Sequence, residues 1–422
     1  MKKRKKIILG SITGALALAL AGGGFWAYKT FVPQETPIDK NATVASNFYQ
    51  AVNKEWLLKA KIPVDSPSID SFYTLDEDVK GKLKKDIKNL GEGKESSDIT
   101  GMSEFITFYK AASDYKQREK DGLEPLKPYL KEIEDIKDLN DLANKSASLT
   151  DKGIPIPFGY DVGTNAENTS QKQIQLSPPS ILLPDVSIYK DESSKKQYLT
   201  PIETATQKAL EMLGYSEKNS KRIVKEALEF DEIIAKYSLS NEEMSESKNL
   251  VHPKTAEEIN AYSGSFKLYD VIKGIMGRDL ETINVPNTKY FENYSKVVNQ
   301  DNFSKIKSWM LMQEAMAASN SLTEDYRLNF ESISMAIMGR QKPISKEDTV
   351  YEMSVNLFSD VMSVYYGRKY FGEEAKTDVT GMIDKIKNVY RGRLQQNDWL
   401  TEETRNKAIE KLDKMKVFVG YQ

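Results

Sequence analysis

The sequence contains no cysteine and a single histidine, His252. The absence of cysteine excludes disulfides, thiolate metal sites, a cysteine nucleophile and a lipidated cysteine. The single histidine excludes any metal site in this chain that needs two imidazole ligands. A serine hydrolase triad would have to use His252, and the G-x-S-x-G motif of many such enzymes is absent. The place of His252, directly before Pro253 and outside any long periodic segment, is typical of a loop histidine.

Acidic and basic side chains are unevenly distributed along the 422 residues, whose formal net charge is −2. Residues 1–33 contain six of the 60 basic side chains and none of the 62 acidic ones, so the rest of the chain is net acidic. A net acidic body argues against nucleic acid as a partner, since phosphate binding needs a basic surface. The length suffices for two or three domains, and 39% hydrophobic residues are typical of a folded body.

The first 43 residues predict a membrane anchor. Residues 1–6 form a basic cytoplasmic segment, and the apolar run from Ile7 to Tyr28 would make a helix of roughly 33 Å, enough to cross the hydrocarbon core of a bilayer. Because the basic cluster precedes this run, we expect the N-terminus inside the cell and the body outside. Residues 29–43, which include two prolines, are interpreted as a stalk.

A cleaved signal peptide is the alternative, because Ala19-Leu20-Ala21 is a small-x-small site in front of Gly22. We favour an uncleaved signal-anchor, since the apolar run continues past this site through Phe25 and Trp26. The expected location is therefore the cell membrane, with a single transmembrane helix at residues 7–28. Cleavage would instead give a secreted protein, and both alternatives export the body.

Apolar residues recur at spacings of three and four along most of the body, which predicts a mainly α fold: a large helical ectodomain. The clearest predicted helices are Ile223–Tyr237, Val350–Val364 and Ile383–Leu394. Ser345 is the predicted N-cap of the second of these, and Thr401, which two acidic residues follow, is predicted to open a last helix. The charge-rich stretch Lys80–Lys94 predicts a solvent-exposed helix and loop.

A small β-hairpin interrupts the helical pattern. Its first arm is predicted at Ile154–Val162 and its second at Gln171–Leu176, with the polar stretch Gly163–Ser170 as the loop between them. Prolines at positions 155 and 157 predict that the first arm is an edge strand or an irregular segment, because proline cannot donate to a neighbouring strand.

The start of the body carries the first of several motifs that together resemble one enzyme family. Residues 47–57 are N-F-Y-Q-A-V-N-K-E-W-L, and Ile62-Pro63 follows. This resembles the D-F-Y-x-Y-V-N-G-x-W-L and I-P sequences that open the ectodomain of the neprilysin-like zinc metallopeptidases, the family of neprilysin, the endothelin-converting enzymes and bacterial oligopeptidase O. Asn47, Lys54 and Gln422 depart from the family pattern, which has Asp, Gly and Pro at these places.

Further matches follow in the family's order and extend the resemblance over residues 44–422. The resemblance identifies this stretch as the N-terminal helical domain of the family, without the catalytic domain. The further matches are Phe108-Tyr109-Lys110, Gly122-Leu123 with Pro125-Leu126, Leu182-Leu183-Pro184-Asp185 with Tyr189, Gly339 with Pro343, Tyr366 with Tyr370-Phe371, Trp399-Leu400 with Thr404, Ala408 and Lys411-Leu412, and Val419-Gly420-Tyr421.

The resemblance implies a large, mostly helical domain that caps a catalytic domain and encloses a cavity for peptides. It also implies zinc as the cofactor of the complete enzyme, held by H-E-x-x-H, whose two imidazoles face one ion from the same helix, and by a Glu on a later helix. Because this chain has one histidine, we predict no catalytic residue, no metal ligand, no cofactor and no activity for the chain alone.

Substrate-binding residues stay unknown at this level. In some relatives, arginines soon after the opening motif bind the substrate's C-terminal carboxylate, whereas residues 66–76 here contain no Arg or Lys. Asn53 and Trp56 of the opening motif are interpreted as structural, fixing the first helix of the body. Four aromatic residues at helical spacing are interpreted as core rather than as a binding stripe: Tyr365, Tyr366, Tyr370 and Phe371.

Two hypotheses from different classes follow. In the first, the chain is the N-terminal, substrate-enclosing portion of a membrane-anchored extracellular zinc metalloendopeptidase. Its partners would be peptide substrates and a catalytic domain supplied by the same chain or by another. In the second, it is a non-catalytic surface protein that binds peptides or a protein partner. The first hypothesis also predicts a large apolar face that is uncovered without the catalytic domain.

Overall fold

The structure, a computed structural model, describes residues 38–421. The predicted transmembrane helix at residues 7–28 lies outside this range, and the boundaries predicted at residues 6, 28 and 43 stay predictions. Within residues 38–421, no helix is both long enough and apolar enough to span a bilayer. The chain divides into a large unit, residues up to Ile69 with Tyr115–Ile344, and a small unit, Asp70–Asp114 with Ser345 onward.

Helices form most of both units, which confirms the prediction of a mainly α body. Those of the small unit are α2, α3 and α16 to α19, and the others belong to the large unit. In chain order the α-helices are α1 (Phe48–Lys59), α2 (Ser71–Gly91), α3 (Met102–Ser113), α4 (Tyr115–Asp121), α5 (Lys127–Glu134), α6 (Leu139–Asp151), α7 (Glu192–Met212), α8 (Glu217–Tyr237), α9 (Asn241–Ser245), α10 (Ala256–Ser263), α11 (Leu268–Met276), α12 (Thr288–Glu292), α13 (Tyr294–Val297), α14 (Phe303–Ala317), α15 (Glu324–Met338), α16 (Lys346–Leu357), α17 (Ser359–Tyr366), α18 (Gly372–Gln395) and α19 (Glu402–Lys414).

The core of the large unit is built on α8, which packs against α14 and α7, while α7 also packs against α15. The apolar residues whose spacing predicted a helix at residues 223–237 form the buried face of α8. Ile223, Ala227, Phe230 and Ile234 are all enclosed there. The ring of Phe230 meets the indole of Trp309 on α14 edge-on, with centroids 5.7 Å apart. Edge-on contact suits the charge distribution of aromatic rings and adds to the gain from burial.

A four-stranded sheet lies beside this helical core, in the order β1 (Gly159–Thr164), β2 (Lys172–Ser177), β4 (Ile283–Asn284), β3 (Pro253–Lys254). β1 and β2 form the predicted antiparallel hairpin, and β1 is an edge strand, as predicted. The strand begins later than predicted, because residues 155 and 157 are prolines and cannot donate to a partner strand. Ile154, Ile156 and Phe158 instead bury their side chains in the core.

The small unit confirms two helix starts and corrects one helix. Ser345 Oγ accepts the Asp348 N–H at 3.0 Å, and Thr401 Oγ1 accepts the Thr404 N–H at 3.2 Å, as N-caps do. The single helix predicted over residues 350–364 is wrong, because the chain breaks at Phe358 between α16 and α17. The Phe358 ring packs edge-on against Phe105 of α3, with centroids 5.7 Å apart.

The prediction of a solvent-exposed segment at residues 80–94 is wrong for one face of α2. Leu83 and Ile87 on this helix are buried in the core of the small unit, together with Phe105. The lysines on which that prediction rested lie outside this buried face of the helix. Lys80 Nζ is 2.9 Å from Asp348 Oδ1, and Lys84 pairs with the same carboxylate.

The last described residues fold back onto a π-helical turn of the small unit, Gly367–Phe371. The Tyr421 ring lies directly against Gly367, at a place that a Cβ atom would occupy. Lys376 Nζ donates to the Tyr421 carbonyl at 3.0 Å and lies 4.2 Å from the ring centroid. The Tyr421 hydroxyl also donates to Glu373. Residue 367 must therefore be glycine for Tyr421 to dock.

Gly367→Ala is expected to displace the Tyr421 ring and to destabilise the small unit by about 1–2 kcal/mol, a usual cost of overpacking. Gly381→Ala in α18 is the matched control, because a Cβ there meets no atom within 4 Å. The control should stabilise α18 by about 0.5–1 kcal/mol, since alanine favours a helix interior over glycine. Urea unfolding of the full chain, followed by circular dichroism, measures both. Equal changes of the same sign would contradict the docking of Tyr421 on Gly367.

Candidate functional site

His252 lies in a loop directly before β3 and joins the sheet through its main chain. Its N–H donates to Asn284 Oδ1 at 2.7 Å, and its carbonyl accepts the Val285 N–H at 3.0 Å. The ring is half-buried, and Nε2 is enclosed without a hydrogen-bond partner among the described residues. Within residues 38–421, no three carboxylate or imidazole side chains converge as a metal site would require. The position is that of a loop histidine, as predicted.

The aromatic residues of the small unit that were predicted to be core divide into two groups. Tyr365 is buried in the core, and Tyr366 packs against it. The prediction of a core position is wrong for Tyr370, which is 39% exposed, and Phe371 is only half-buried. The Tyr370 hydroxyl donates to Asp86 Oδ2 at 2.7 Å, and Lys369 Nζ lies 2.9 Å from Oδ1. Asp86 itself is buried, so this network satisfies a carboxylate inside the small unit and leaves no open binding stripe.

The first helix of the body, α1, presents large apolar side chains to solvent. Phe48, Tyr49 and Val52 are each more than 60% exposed, and Trp56 is 39% exposed. Spacings of three and four residues put Tyr49, Val52 and Trp56 on one side of the helix. We call these four residues the α1 face. Trp56, which the sequence suggested as a structural residue, is thus part of an exposed surface.

Polar contacts fix α1 without covering this face. Asn47 is the N-cap, and its side chain accepts the Gln50 N–H at 3.0 Å. Gln50, the buried residue of α1, accepts the Asp39 N–H at 2.8 Å. Asn53 Nδ2 donates to the Tyr49 carbonyl at 3.0 Å, which is a bond within the helix. The opening motif therefore fixes the helix through polar contacts and leaves its aromatic side chains exposed to solvent.

A second uncovered face lies on α18, a helix of 24 residues of which none is buried. Met382, Ile386, Val389 and Tyr390 are between 49% and 60% exposed and form one stripe at spacings of four, three and one. We call these four residues the α18 face. α19 packs against α18, so the helix is supported by this neighbour. In the same unit, Trp399 is 78% exposed. Contiguous apolar surface of this kind marks interaction sites in soluble proteins.

The large unit contains a cleft of about 400 Å³ next to the sheet, which we call the proline cleft. Its walls are the end of β2, the linker Pro178–Val186 and the start of α9, and Pro286 and Asn287 complete the lining. Four prolines and several aliphatic side chains contribute to the lining, which contains no lysine, arginine or histidine. Volumes of roughly 300–1,000 Å³ are usual for binding pockets.

One buried carboxylate ties the linker wall of this cleft to α8. Asp231 lies on the buried face of α8 and accepts the Leu182 N–H at 3.0 Å, and the Tyr189 hydroxyl donates to its second oxygen. The same hydroxyl accepts the Leu183 N–H at 3.4 Å. Burial raises the pKa of Asp231 to about 7, although the hydrogen bonds from Tyr189 and Leu182 act in the opposite direction.

Sequence reasoning missed this carboxylate, because Asp231 stands in a chain rich in acidic residues. A usable signal exists: position 231 follows Ala227 by four residues and therefore shares its apolar helix face. An acidic residue on such a face needs hydrogen-bond donors from elsewhere in the fold. The sequence does not show that Leu182 and Tyr189 supply them.

The model of peptidase family M13 matches residues 44–422. The chain belongs to this family. The resemblance to the neprilysin-like zinc metallopeptidases is thereby confirmed. The neutral endopeptidase of Lactobacillus helveticus is 32% identical over 384 residues, which cover 91% of this chain and 59% of the relative. That of Lactococcus lactis subsp. lactis is 30% identical over 380 residues, which cover 90% of this chain and 60% of the relative.

Two solved structures share the fold of this chain. PepO from Lactobacillus rhamnosis HN001 is similar with a TM-score of 0.83 and 24% identity, over 90% of this chain and 60% of that one. The inhibitor complex of the zinc metalloprotease Zmp1 from Mycobacterium tuberculosis is similar with a TM-score of 0.77 and 19% identity, over 90% of this chain and 57% of that one. The M13 chain described here therefore spans about 60% of the length of the relatives it matches.

Asp231→Asn is expected to remove a pH dependence of stability. The folded-state pKa of about 7 lies above the value of 3.8 for a free carboxyl group. Between these values the folded protein holds a proton that the unfolded chain has lost, so the contribution of Asp231 to stability falls as the pH rises from about 4 to about 7 and is constant above that. The unfolding free energy of wild type minus that of the variant should therefore decrease over this pH range, by at most about 1.4 kcal/mol per pH unit.

Urea unfolding between pH 4.5 and 8.5 measures this difference. Tyr189→Phe serves as the control, because it keeps the carboxyl group but removes one hydrogen bond that favours the charged form. It should shift the fall in stability towards higher pH. A wild-type advantage over Asp231→Asn that is independent of pH would refute a raised pKa at this position.

Proposed function

We propose that this chain is the substrate-enclosing, non-catalytic portion of a membrane-anchored extracellular zinc metalloendopeptidase. The observation that carries the proposal is the match of residues 44–422 to peptidase family M13, whose relatives named above include neutral endopeptidases. The chain spans about 60% of these relatives. The catalytic groups would come from the part of the enzyme that the match does not cover, in the same polypeptide or in a second one.

Zinc is the cofactor that the family implies, and the residues of this chain do not fit it. Two imidazole ligands cannot come from a sequence with one histidine. His252 keeps its Nε2 enclosed beside the sheet, and no cluster of potential ligands exists within residues 38–421. We therefore assign no step of peptide hydrolysis to the chain itself. Its contribution is to bind, orient and enclose.

The uncovered faces support a role in packing against a catalytic part. The α1 face and the α18 face together expose eight large apolar side chains. Burial of one such side chain contributes roughly 1.5–3 kcal/mol, so a partner that covers either face would gain substantial free energy. A surface protein that works alone would have little reason to keep these faces apolar.

The predicted anchor at residues 7–28 completes the proposal. It would hold the enzyme at the outer surface of the membrane, with the peptidase family body outside. Peptides in that space are then the substrate class. If the signal is cleaved, the same body would act as a secreted enzyme.

The proposal is tested by capture of the native product from source-cell membranes with an antibody raised against residues 44–422. We expect the captured material to exceed the 47.8 kDa of this chain, or to include a second polypeptide, and to cleave peptides. A chelator should abolish the cleavage and added zinc should restore it. A product of 47.8 kDa without a partner and without activity would favour the non-catalytic surface protein instead.

Ile386→Lys is expected to impair assembly with a catalytic part without impairing the folding of this chain. The side chain is 56% exposed, so a charge there should leave the fold of the small unit intact and reduce the binding of a hydrophobic dye by the chain alone. In the complete enzyme the lysine would be buried at the interface, which should lower its thermal stability and its activity. Leu357→Lys is the matched control at the end of α16, at 63% exposure. If both variants behave alike in the complete enzyme, the α18 face is not an interface.

A further inference from the structure

The lining of the proline cleft combines prolines, aliphatic side chains and carboxylates, and the proposed packing against a catalytic part does not account for it. Each proline lacks an N–H group, so the linker wall offers few backbone donors. Leu176, Ile181 and Leu239 add aliphatic surface. A ligand that suits this lining therefore brings its own N–H donors and an apolar group.

Two carboxylates line the cleft, and only one of them is free to meet a ligand. Asp185 accepts the N–H groups of Asn241 and Ser187, each at 2.8 Å, and these bonds hold its pKa below the usual value. Asp161 accepts the Val162 N–H at 2.7 Å through Oδ1, and its Oδ2 has no partner among the described residues. Asp161 also lies on the edge strand β1, whose outer side has no neighbouring strand in the sheet.

The charge around the cleft favours a cation. No lysine, arginine or histidine is among the lining residues. Lys289 Nζ donates to the carbonyl of the lining residue Ser238 at 2.9 Å, so this ammonium group already bonds the protein main chain. An ammonium or guanidinium group in the cleft would meet Asp161 and hydrogen-bond acceptors.

We propose that the proline cleft binds an extended peptide segment in which a basic side chain stands next to an apolar one. The basic side chain pairs with Asp161, and the apolar one lies among Ile181 and Leu239. The exposed edge of β1 offers main-chain groups along which the segment can run. The inference deepens and rests on the proposed function, because it makes the cleft a place where the chain holds peptide substrates away from the zinc.

The test uses the full chain and two fluorescein-labelled peptides, Gly-Ala-Leu-Lys-Ala-Gly and its counterpart with Glu in place of Lys. Anisotropy titrations are made with a chelator present, so that no cleavage occurs. The lysine peptide is expected to bind at least about tenfold more tightly than the glutamate peptide, since one is attracted and the other repelled by Asp161. Its affinity should fall as salt is raised.

Two substitutions, each with a matched control, locate the binding. Ser180→Trp puts an indole into the cleft from an exposed position and should weaken the lysine peptide at least about tenfold, whereas Asn219→Trp fills the second cleft of the large unit and should not. Asp161→Lys should weaken binding by about five- to tenfold. Asp301→Lys makes the same change of charge at an exposed residue just before α14, away from the residues that line the cleft, and should leave binding unchanged.

Equal binding of both peptides, or an unchanged affinity in Ser180→Trp, would overturn the inference. Equal losses in the variants and in their controls would overturn it too, because the effect would then be one of overall charge or folding. The proposed function fails separately, through the capture experiment. Zinc-dependent cleavage by captured material with no peptide binding at the cleft would sink this inference alone.

Discussion

The large unit depends on one face of α8. Ala227, Phe230 and Ile234 are fully enclosed there, and Phe230 meets Trp309 of α14. Burial of such side chains is worth roughly 1.5–3 kcal/mol each, which is the main favourable term in folding. The same packing removes the Asp231 carboxylate from water, so the fold must supply donors to it. Leu182 in the linker that forms the cleft wall and Tyr189 just after it supply these donors, and hydrophobic packing thereby sets the course of this segment.

The two uncovered faces, in contrast, consist of apolar side chains that the described residues do not bury. α18 has the apolar stripe of a helix that belongs in a core, yet none of its residues is buried. Isolated helices gain little stability in water, and most of their stability in proteins comes from packing an apolar face. Support from α19 explains how α18 stays folded without such a cover. It does not explain why Ile386 and Tyr390 are apolar, whereas the proposed packing against a catalytic part would.

Predictions from the sequence succeeded where local chemistry decides the structure. Ser345 caps α16 because its hydroxyl reaches an amide three residues away, a contact visible in the sequence. The break at Phe358 was missed, because both halves share one periodicity and the break accompanies a contact with Phe105, far along the chain. The family motifs indicated the fold, while the proline cleft and the role of Asp231 depend on segments that only the tertiary structure brings together.

The proposed function divides binding from chemistry, and that division has a physical consequence. A zinc site tolerates little change, because its ligands must keep their number and geometry. Within residues 38–421 no group of three potential metal ligands comes together, so the surfaces described above are free of that constraint. Asp161 and the linker prolines can change without disturbing a metal ligand. Under the proposed function, selection among peptides could therefore evolve on this portion, where a charge at a cleft alters which segment binds, while a hydrolytic site elsewhere stays the same.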